Sequence, residues 1–520
     1  MRYGAGCFRT LVALAAALAV GWGSAAAAPA ARKKAKTPAS AAGKKAKGAK
    51  TAPRRNGLTA KQVAAALGAK MGAAAWRRAR VSVAAMDLTT GTMLFEHGAD
   101  QLCSVASNNK LVTTAAALDL LGPDFQFRTT VGALGKVSAK GVLTGDLLVV
   151  GRGDPSISGR FHKDKVTAVL EQWADAVVAA GITEVRGGVV VDDSYFDQQH
   201  FHPEWPRGQH SAWYCAQVGA LSFNDNCVLL VVAPGAKKGA AALCALEPPT
   251  RYMRIVNSCH TSRARLGRNH VLAHRALGKN QITVSGSIRD KGRPFRTWVT
   301  VDDPALFTAT VFREVLGAKG VRVGGPAMRW QPQRRFNLAA WRELVTTTSS
   351  LGDAVAVANS RSQNFYAEQI LKTLGQEKTG KGSWAAGAKG VAGFLRTAGV
   401  KGQFDYRDGS GMARANRFSA RQLVTLLAYM NGRRVGRVFL HSLAQPGGNG
   451  TLRRRLAPLR GRLFAKTGYI SGVSALSGYI DTRGGRVVAF SILVNKFRSL
   501  LGHVRAAQDA VCTTLAEYNP

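Results

Sequence analysis

The chain has 520 residues, 46% of them hydrophobic, and carries 72 Lys and Arg against 30 Asp and Glu, a formal charge of +42. Such a length holds about two to four domains with a sizeable buried core. No stretch beyond the first thirty residues has the roughly 18 apolar residues of a membrane helix, and no basic stretch is interleaved with aromatics, which argues against nucleic acid as a partner.

Arg2 and Arg9 precede LVALAAALAV, which runs into Ala26-Ala27-Ala28-Pro29. A basic start, a short apolar middle and an A-x-A site read as a secretory signal over residues 1–28. Export is therefore expected, to a periplasmic or cell-wall space, with the protein soluble or loosely envelope-associated. Residues 29–56 hold ten Lys or Arg and no acid. A Lys/Ala/Gly/Pro tract cannot build a core and reads as a disordered tether; electrostatic contact with an anionic wall or membrane surface is its other reading. Cys7 falls in the signal, leaving Cys103, Cys215, Cys227, Cys244, Cys259 and Cys512. An even number in an oxidising compartment suits disulfides, and Cys244 with Cys259 is the favoured pair because both lie in one loop-rich region. No C-x-x-C occurs.

From Leu58 the periodicity of LTAKQVAAALGAKMGAAAWRRA is helical, and VSVAAMDLTTGTMLFEHGAD then alternates as a two-stranded hairpin bent at Thr90-Gly91. An apolar helix follows Ser104-Val-Ala-Ser-Asn-Asn-Lys110 and stops at Gly122-Pro123. Residues 124–319 change texture: short strands such as GVLTGDLLVVG and CVLLVVAPG are separated by Gly/Pro/Asp turns, with one clear helix in KVTAVLEQWADAVVAAG. Helices return from ALFTATVFREVLGAKG to SARQLVTLLAYMNG, and RLFAKTGYI, SALSGYIDTR and GRVVAFSILVN close the chain as three strands before a last helix. Opening and closing strands are expected to share one sheet. The expected organisation is thus a discontinuous domain of residues 57–123 and 320–520 around a β-rich insertion of 124–319.

The candidate chemistry begins at Ser107 and Lys110. Three residues apart on a helix, they share a face within hydrogen-bond reach. Burial disfavours the ammonium, and the positive helix end pushes the same way, so a neutral lysine can take the serine proton and make a nucleophile of the hydroxyl. Ser107 is the only serine in the chain followed by Lys three places on. The Ser107 N–H at the helix start suits an oxyanion. Other patterns carry less. His200, His202, His210 and Cys215 lack metal-ligand spacing, no serine has glycine at both −2 and +2, and Arg152-Gly-Asp154 reads as a turn before Pro155. Asp408-Gly-Ser410-Gly reads as a turn near the cleft rim.

Two further elements, Ser362-Gln363-Asn364 and Lys466-Thr467-Gly468, complete a trio found in penicillin-recognising serine enzymes. With VASNNKLVTTAAALDLLG, LVVGRGDPSISG, ALSFNDNCV, YRDGSGMARANRFS and AKTGYISGVSALSGYI in this order, the chain resembles the class C penicillin-binding proteins, the D-alanyl-D-alanine carboxypeptidase/endopeptidase family, over roughly 58–515. The resemblance implies an α/β (α+β) fold: a penicillin-recognising domain with a five-stranded antiparallel sheet flanked by helices and interrupted by inserted β-rich domains. It implies an acyl-enzyme on Ser107 with Lys110 as base, Ser362 as relay to the leaving amine, Asn364 on the substrate amide, and Lys466 and Thr467 on the terminal carboxylate. Gly468 lets the substrate lie against the strand, and the Tyr469 N–H completes the oxyanion hole. The implied partners are peptidoglycan stem peptides and β-lactam inhibitors, with no cofactor and no metal. Tyr469 stands where the family often has a small hydroxyl residue, and Gln363 where aspartate is common. Lys378-Thr379-Gly380 is a decoy, expected in a charged loop with no strand after it, and Ser222-Phe-Asn224 another. Endopeptidase action on cross-links, or a silent wall-binding scaffold, are the alternatives to carboxypeptidase action.

Overall fold

The computed structural model describes residues 57–263, 269–330 and 340–520; the expected signal and basic tract lie outside them. The central sheet has five antiparallel strands in the order Met93–His97, Arg80–Asp87, Val487–Asn495, Val473–Asp481, Leu463–Ile470. Both ends of the chain meet in its middle, where Val83 opposes Ile492. The alternation of these strands separates two cores. Val83, Ala85, Phe490, Ile492 and Val494 face the helices Ala60–Met71 and Leu501–Ala516. Ala84, Ala475, Ala489 and Leu493 face a helical cluster that includes Asn109–Leu121, Leu351–Ser360, Asn364–Thr379 and Ala420–Asn431. Small side chains on this second face let helices approach the sheet closely.

A third core belongs to the β-rich segment. One five-stranded sheet runs Ala327–Arg329, Val189–Asp192, Asp146–Gly151, Gln126–Leu134, Trp341–Ser350, and the helices Ala168–Ala179 and Pro304–Ala318 meet on it with Trp173 edge-on to Phe312 at 5.5 Å. A sheet of Leu243–Glu247, Cys227–Ala233 and Phe295–Thr300 and a four-stranded sheet centred on Gln281–Arg289 follow. Strands from both sides of residue 319 share the first of these sheets. Its last strand, Trp341–Ser350, pairs with Gln126–Leu134 along its whole length, yet its TTTSS run has no apolar alternation to announce it. All of Leu58–Pro520 is one compact unit.

Three expectations need correction. The six cysteines of the described residues are free, so Cys244 and Cys259 are not bridged. They do not lie on a slack loop. Cys244 belongs to Leu243–Glu247, and the Cys259 carbonyl accepts from Ala242 N–H at 2.8 Å, so backbone pairing holds both in place. Lys378-Thr379-Gly380 is no loop either: it ends the helix Asn364–Thr379, with Gly380 as a left-handed cap at φ 70°. Arg152-Gly-Asp154 is no turn but a continuation of the strand Asp146–Gly151, with Arg152 N–H on the Arg128 carbonyl and Gly153 N–H on that of Ala220, and the buried Asp154 uses Oδ1 to accept from Ser156 and Ser349.

Candidate active site

The turn that carries Ser107 is strained and pinned. Ala106 has φ 45°, in a region costing a non-glycine residue about 1–3 kcal/mol. Ser107 lies in the 3₁₀ turn Ala106–Asn108, one step before the helix Asn109–Leu121. The intervening asparagines hold it from two sides. Asn108 Nδ2 donates to Ser477 Oγ on the central sheet at 2.6 Å, and Asn109 Nδ2 donates to the Asp408 carbonyl at 2.6 Å. Gly411, at φ 83°, packs against the Ala106 carbonyl so closely that a Cβ there would sit 1.9 Å from that oxygen.

Lys110 is fully buried. Its Nζ lies 3.0 Å from Ser107 Oγ, 2.7 Å from Asn364 Oδ1 and 2.9 Å from the Ser410 carbonyl. Asn364 Oδ1 and the Ser410 carbonyl can only accept. A neutral amine would satisfy both with its two N–H bonds and keep its lone pair for the Ser107 hydroxyl. The burial that makes this possible pulls the Lys110 pKa down to about 7, against the opposing pull of Glu368 and Asp408. Burial first, then the charge of Lys110, hold Lys466 well below its ordinary value.

Lys466 Nζ donates to Ser362 Oγ at 2.7 Å and to the Thr467 carbonyl at 2.9 Å. Ser362 has φ 61°, a second strained backbone position beside Ala106 in this site. Lys466 and its neighbours lie on the sheet's edge strand, Leu463–Ile470. Ala465 pairs outward with Ala444 through both its N–H and its carbonyl, so by the two-residue period Thr467 and Tyr469 direct their backbone groups the same way. A Cβ on Gly468 would sit 2.8 Å from the Val105 carbonyl and 3.1 Å from Ser107 N. The edge strand therefore lies directly on the serine turn. The Tyr469 side chain is 50% exposed beneath Arg505, whose Cζ is 5.8 Å from the ring centre.

The structure thus gathers the candidate residues around the serine turn: Lys110 joins Ser107 to Asn364, Lys466 reaches Ser362, and Gly468 lies against Ser107 N. Asn364 Oδ1 faces Lys110 and its Nδ2 donates to the Tyr214 carbonyl at 2.9 Å, so both ends of its amide are taken.

Sequence reasoning passed over two contributors, Glu368 and Thr451, and misplaced two more, Asp408 and Ser410. Glu368, one turn after Asn364, is fully buried and accepts from Gly409 N, Ser410 N and Trp384 Nε1 at 2.7–2.8 Å. Burial, then repulsion from Asp408, raise its pKa to about 7. Asp408 is also buried and closes its own loop by accepting from Gly411 N and Ala413 N at 2.7 Å. It is anchored to the inserted segment by Trp205 Nε1 at 2.8 Å. Ser410 hands Lys110 its carbonyl. Thr451 Oγ1 accepts from Thr467 Oγ1 at 2.8 Å while its N–H reaches the Ser360 carbonyl at 3.0 Å. The stretch around Asp408 is therefore a buried buttress beneath the nucleophile and not a rim turn. An S-x-x-K serine beside a D-G-S-G loop was the available signal; the acids themselves had none.

The histidines are structural. His210 lies against the carbonyls of Arg207 and Arg275, and His202 against that of Arg407; among the described residues no cluster of His, Cys, Asp and Glu is arranged to hold a metal. Ser222 of the second S-x-N accepts from Gln369 Nε2 at 2.8 Å and holds a helix in place.

A profile of the D-Ala-D-Ala carboxypeptidase 3 (S13) family matches residues 63–517. The chain is 33% identical over 462 residues to a D-alanyl-D-alanine carboxypeptidase of Actinomadura sp. strain R39, covering 84% of this chain and 81% of that one. In fold it is similar to the crystal structure of penicillin-binding protein 4 of Haemophilus influenzae, with a TM-score of 0.73, 19% identity, and coverage of 89% of this chain and 100% of the other. The same protein complexed with a β-lactam gives a TM-score of 0.67 at 20% identity, over 85% and 97% of the two chains.

Proposed function

The chain belongs to the D-Ala-D-Ala carboxypeptidase 3 (S13) family, a serine peptidase family, and from that premise we propose how its residues divide the work. Ser107 Oγ attacks the carbonyl carbon of the penultimate D-alanine while its proton passes to the neutral Lys110 Nζ. The oxyanion is held by the N–H groups of Ser107 and Tyr469. The C–N bond breaks, the terminal D-alanine amine takes a proton relayed through Ser362 and Lys466, and water later hydrolyses the Ser107 ester. Lys466 and Thr467 hold the terminal carboxylate against the strand edge at Gly468. Asn364 positions Lys110 and ties it to the inserted segment. The observation that carries this reading is the 3.0 Å contact between Lys110 Nζ and Ser107 Oγ, with only acceptors at the other two partners.

We propose a division at residue 350 between the β-rich insertion and the rest of the catalytic domain, because Trp341–Ser350 belongs to the insertion's sheet. Export to the space that holds peptidoglycan fits the leader of residues 1–28; among the described residues no helix is long and apolar enough to cross a membrane. The positive net charge suits a wall polymer bearing peptide carboxylates.

Two measurements test the reading. A fluorescent penicillin should label the protein covalently, and a pentapeptide stem ending in D-Ala-D-Ala should lose one D-alanine. Labelling without D-alanine release, but with cleavage of cross-linked dimers, would replace the carboxypeptidase by an endopeptidase. Absence of both leaves the scaffold.

The pH profile gives a second check. Because the base must be unprotonated, the acylation rate should rise about tenfold per pH unit below about 7 and level off above it. Glu368→Gln removes a charge that favours the ammonium, so this acid limb should move to lower pH. In either orientation the same variant turns an amide N–H₂ toward at least one donor, Ser410 N on one side or Gly409 N and Trp384 Nε1 on the other, and should cost about 1–3 kcal/mol of stability. A limb that stays in place would separate Glu368 from the base.

A further inference from the structure

A groove of about 560 Å³ opens beside the Ser362–Asn364 segment, and nearly all of its wall comes from the insertion. Arg361 and Gln363, on either side of Ser362, form its catalytic edge; Arg160, Trp213, Asp225 and Trp298 form much of the rest. Its volume is that of a small-molecule site, and four independent features mark it as built for a ligand.

The first is aromatic. Trp213 and Trp298 are 42% and 40% exposed, and they are the exposed tryptophans among the described residues. Both line this one groove. The second is backbone strain. Asn224, Asp225 and Asn226 have φ of 53°, 52° and 55°, three successive non-glycine residues in the left-handed region. The third is unspent polarity. Asp225 Oδ2 takes Arg160 at 2.5 Å and Gln363 Nε2 at 2.7 Å, while Asp225 Oδ1 and Arg160 Nε are buried without partners. The fourth is charge balance. The lining sets Arg160, Arg296 and Arg361 against Asp164, Asp225 and Glu247, with Arg296 and Glu247 paired at 3.2 Å. A groove so neutralised does not select an anion. Open indole faces ringed by planar amides, carboxylates and guanidinium groups suit a neutral ring with apolar C–H faces and an equatorial rim of hydroxyl and amide groups.

We propose that this groove is a saccharide subsite for an N-acetylated amino sugar of the glycan that carries the stem peptide. This rests on the reading of the protein as a peptidoglycan peptidase, and it gives the insertion a task. Stems still attached to glycan are gripped at the sugar by Trp213 and Trp298 while the peptide reaches Ser107. Gln363, bonded to Asp225 and adjacent in sequence to Ser362 and Asn364, joins the two sites.

The test uses the whole chain and N,N′,N″-triacetylchitotriose as probe. Titration should give saturable binding by calorimetry, weakened about fivefold to tenfold in Trp298→Ala and largely retained in Trp298→Phe. D-Alanine release should show the same loss in kcat/KM, through KM, on a disaccharide pentapeptide, while the free pentapeptide is turned over as by the wild type. Absence of saturable sugar binding overturns the proposal, as does an equal effect of Trp298→Ala on both substrates. Competition by a free acidic tetrapeptide but not by the sugar would make the groove a peptide site and overturns it too. Penicillin acylation of the same samples separates the two levels: if it persists while the sugar fails to bind, the groove alone is misread; if acylation is absent, the peptidase reading falls first.

Discussion

Ser107→Ala and Lys110→Met, singly or combined, should bring acylation by fluorescent penicillin to the same floor, about a thousandfold or more below the wild type. The two side chains act as one unit. Without Lys110 the hydroxyl keeps its proton at neutral pH, and without Ser107 the amine has nothing to deprotonate, so the second substitution finds little left to remove. Lys110→Arg should not rescue the rate. Its guanidinium cannot shed a proton in this range, and it would need to fit where a single nitrogen is 2.7–3.0 Å from three oxygens. Rate constants for acylation across the three variants and the double mutant check this. Additive losses, or an active Lys110→Arg, would show that the lysine merely supports the turn.

Gly411→Ala is the second large effect, and it touches no reacting group. Its new methyl would lie 1.9 Å from the Ala106 carbonyl oxygen and 2.6 Å from the carbonyl carbon, in a backbone conformation at φ 83° that alanine already resists. The peptide that must move is the one entering Ser107. The protein should melt at lower temperature, and its folded fraction should be acylated about a hundredfold more slowly, the usual penalty for a displaced nucleophile. Gly380→Ala is the control. It has a similar φ of 70° with open space around the new carbon, so it should cost conformational strain alone and leave acylation intact. Melting curves and acylation rates of the two variants, compared side by side, decide the matter.

Much of this architecture was legible in order along the chain. The apolar helix after Ser107, its stop at Gly122, the opening hairpin and the three closing strands announce themselves through period and punctuation, because each is a local pattern. The acids beneath Lys110 are not local. Glu368 sits in a run, Phe-Tyr-Ala-Glu-Gln, where a lone carboxylate reads as solvent-facing, and only packing against a loop forty residues on buries it. Trp341–Ser350 has no alternation because its polar side chains lie half-exposed along the sheet. Cys244 and Cys259 looked free to meet because the backbone pairing that holds each of them is invisible in spacing alone. The reacting groups were thus readable from motifs, whereas the scaffold that tunes them arose from contacts between segments from about forty to three hundred positions apart.

The meeting of Arg80–Asp87 with Val487–Asn495 has a consequence for when the protein becomes active. A chain emerging from its N-terminus has made Ser107 and Lys110 some 350 residues before the lysine of the edge strand exists, and their hairpin has no partner until nearly the last residues are out. Pairings of such separation form late and slowly. The nascent polypeptide is therefore a harmless passenger, armed only once its last strand has docked on the free edge of its first hairpin.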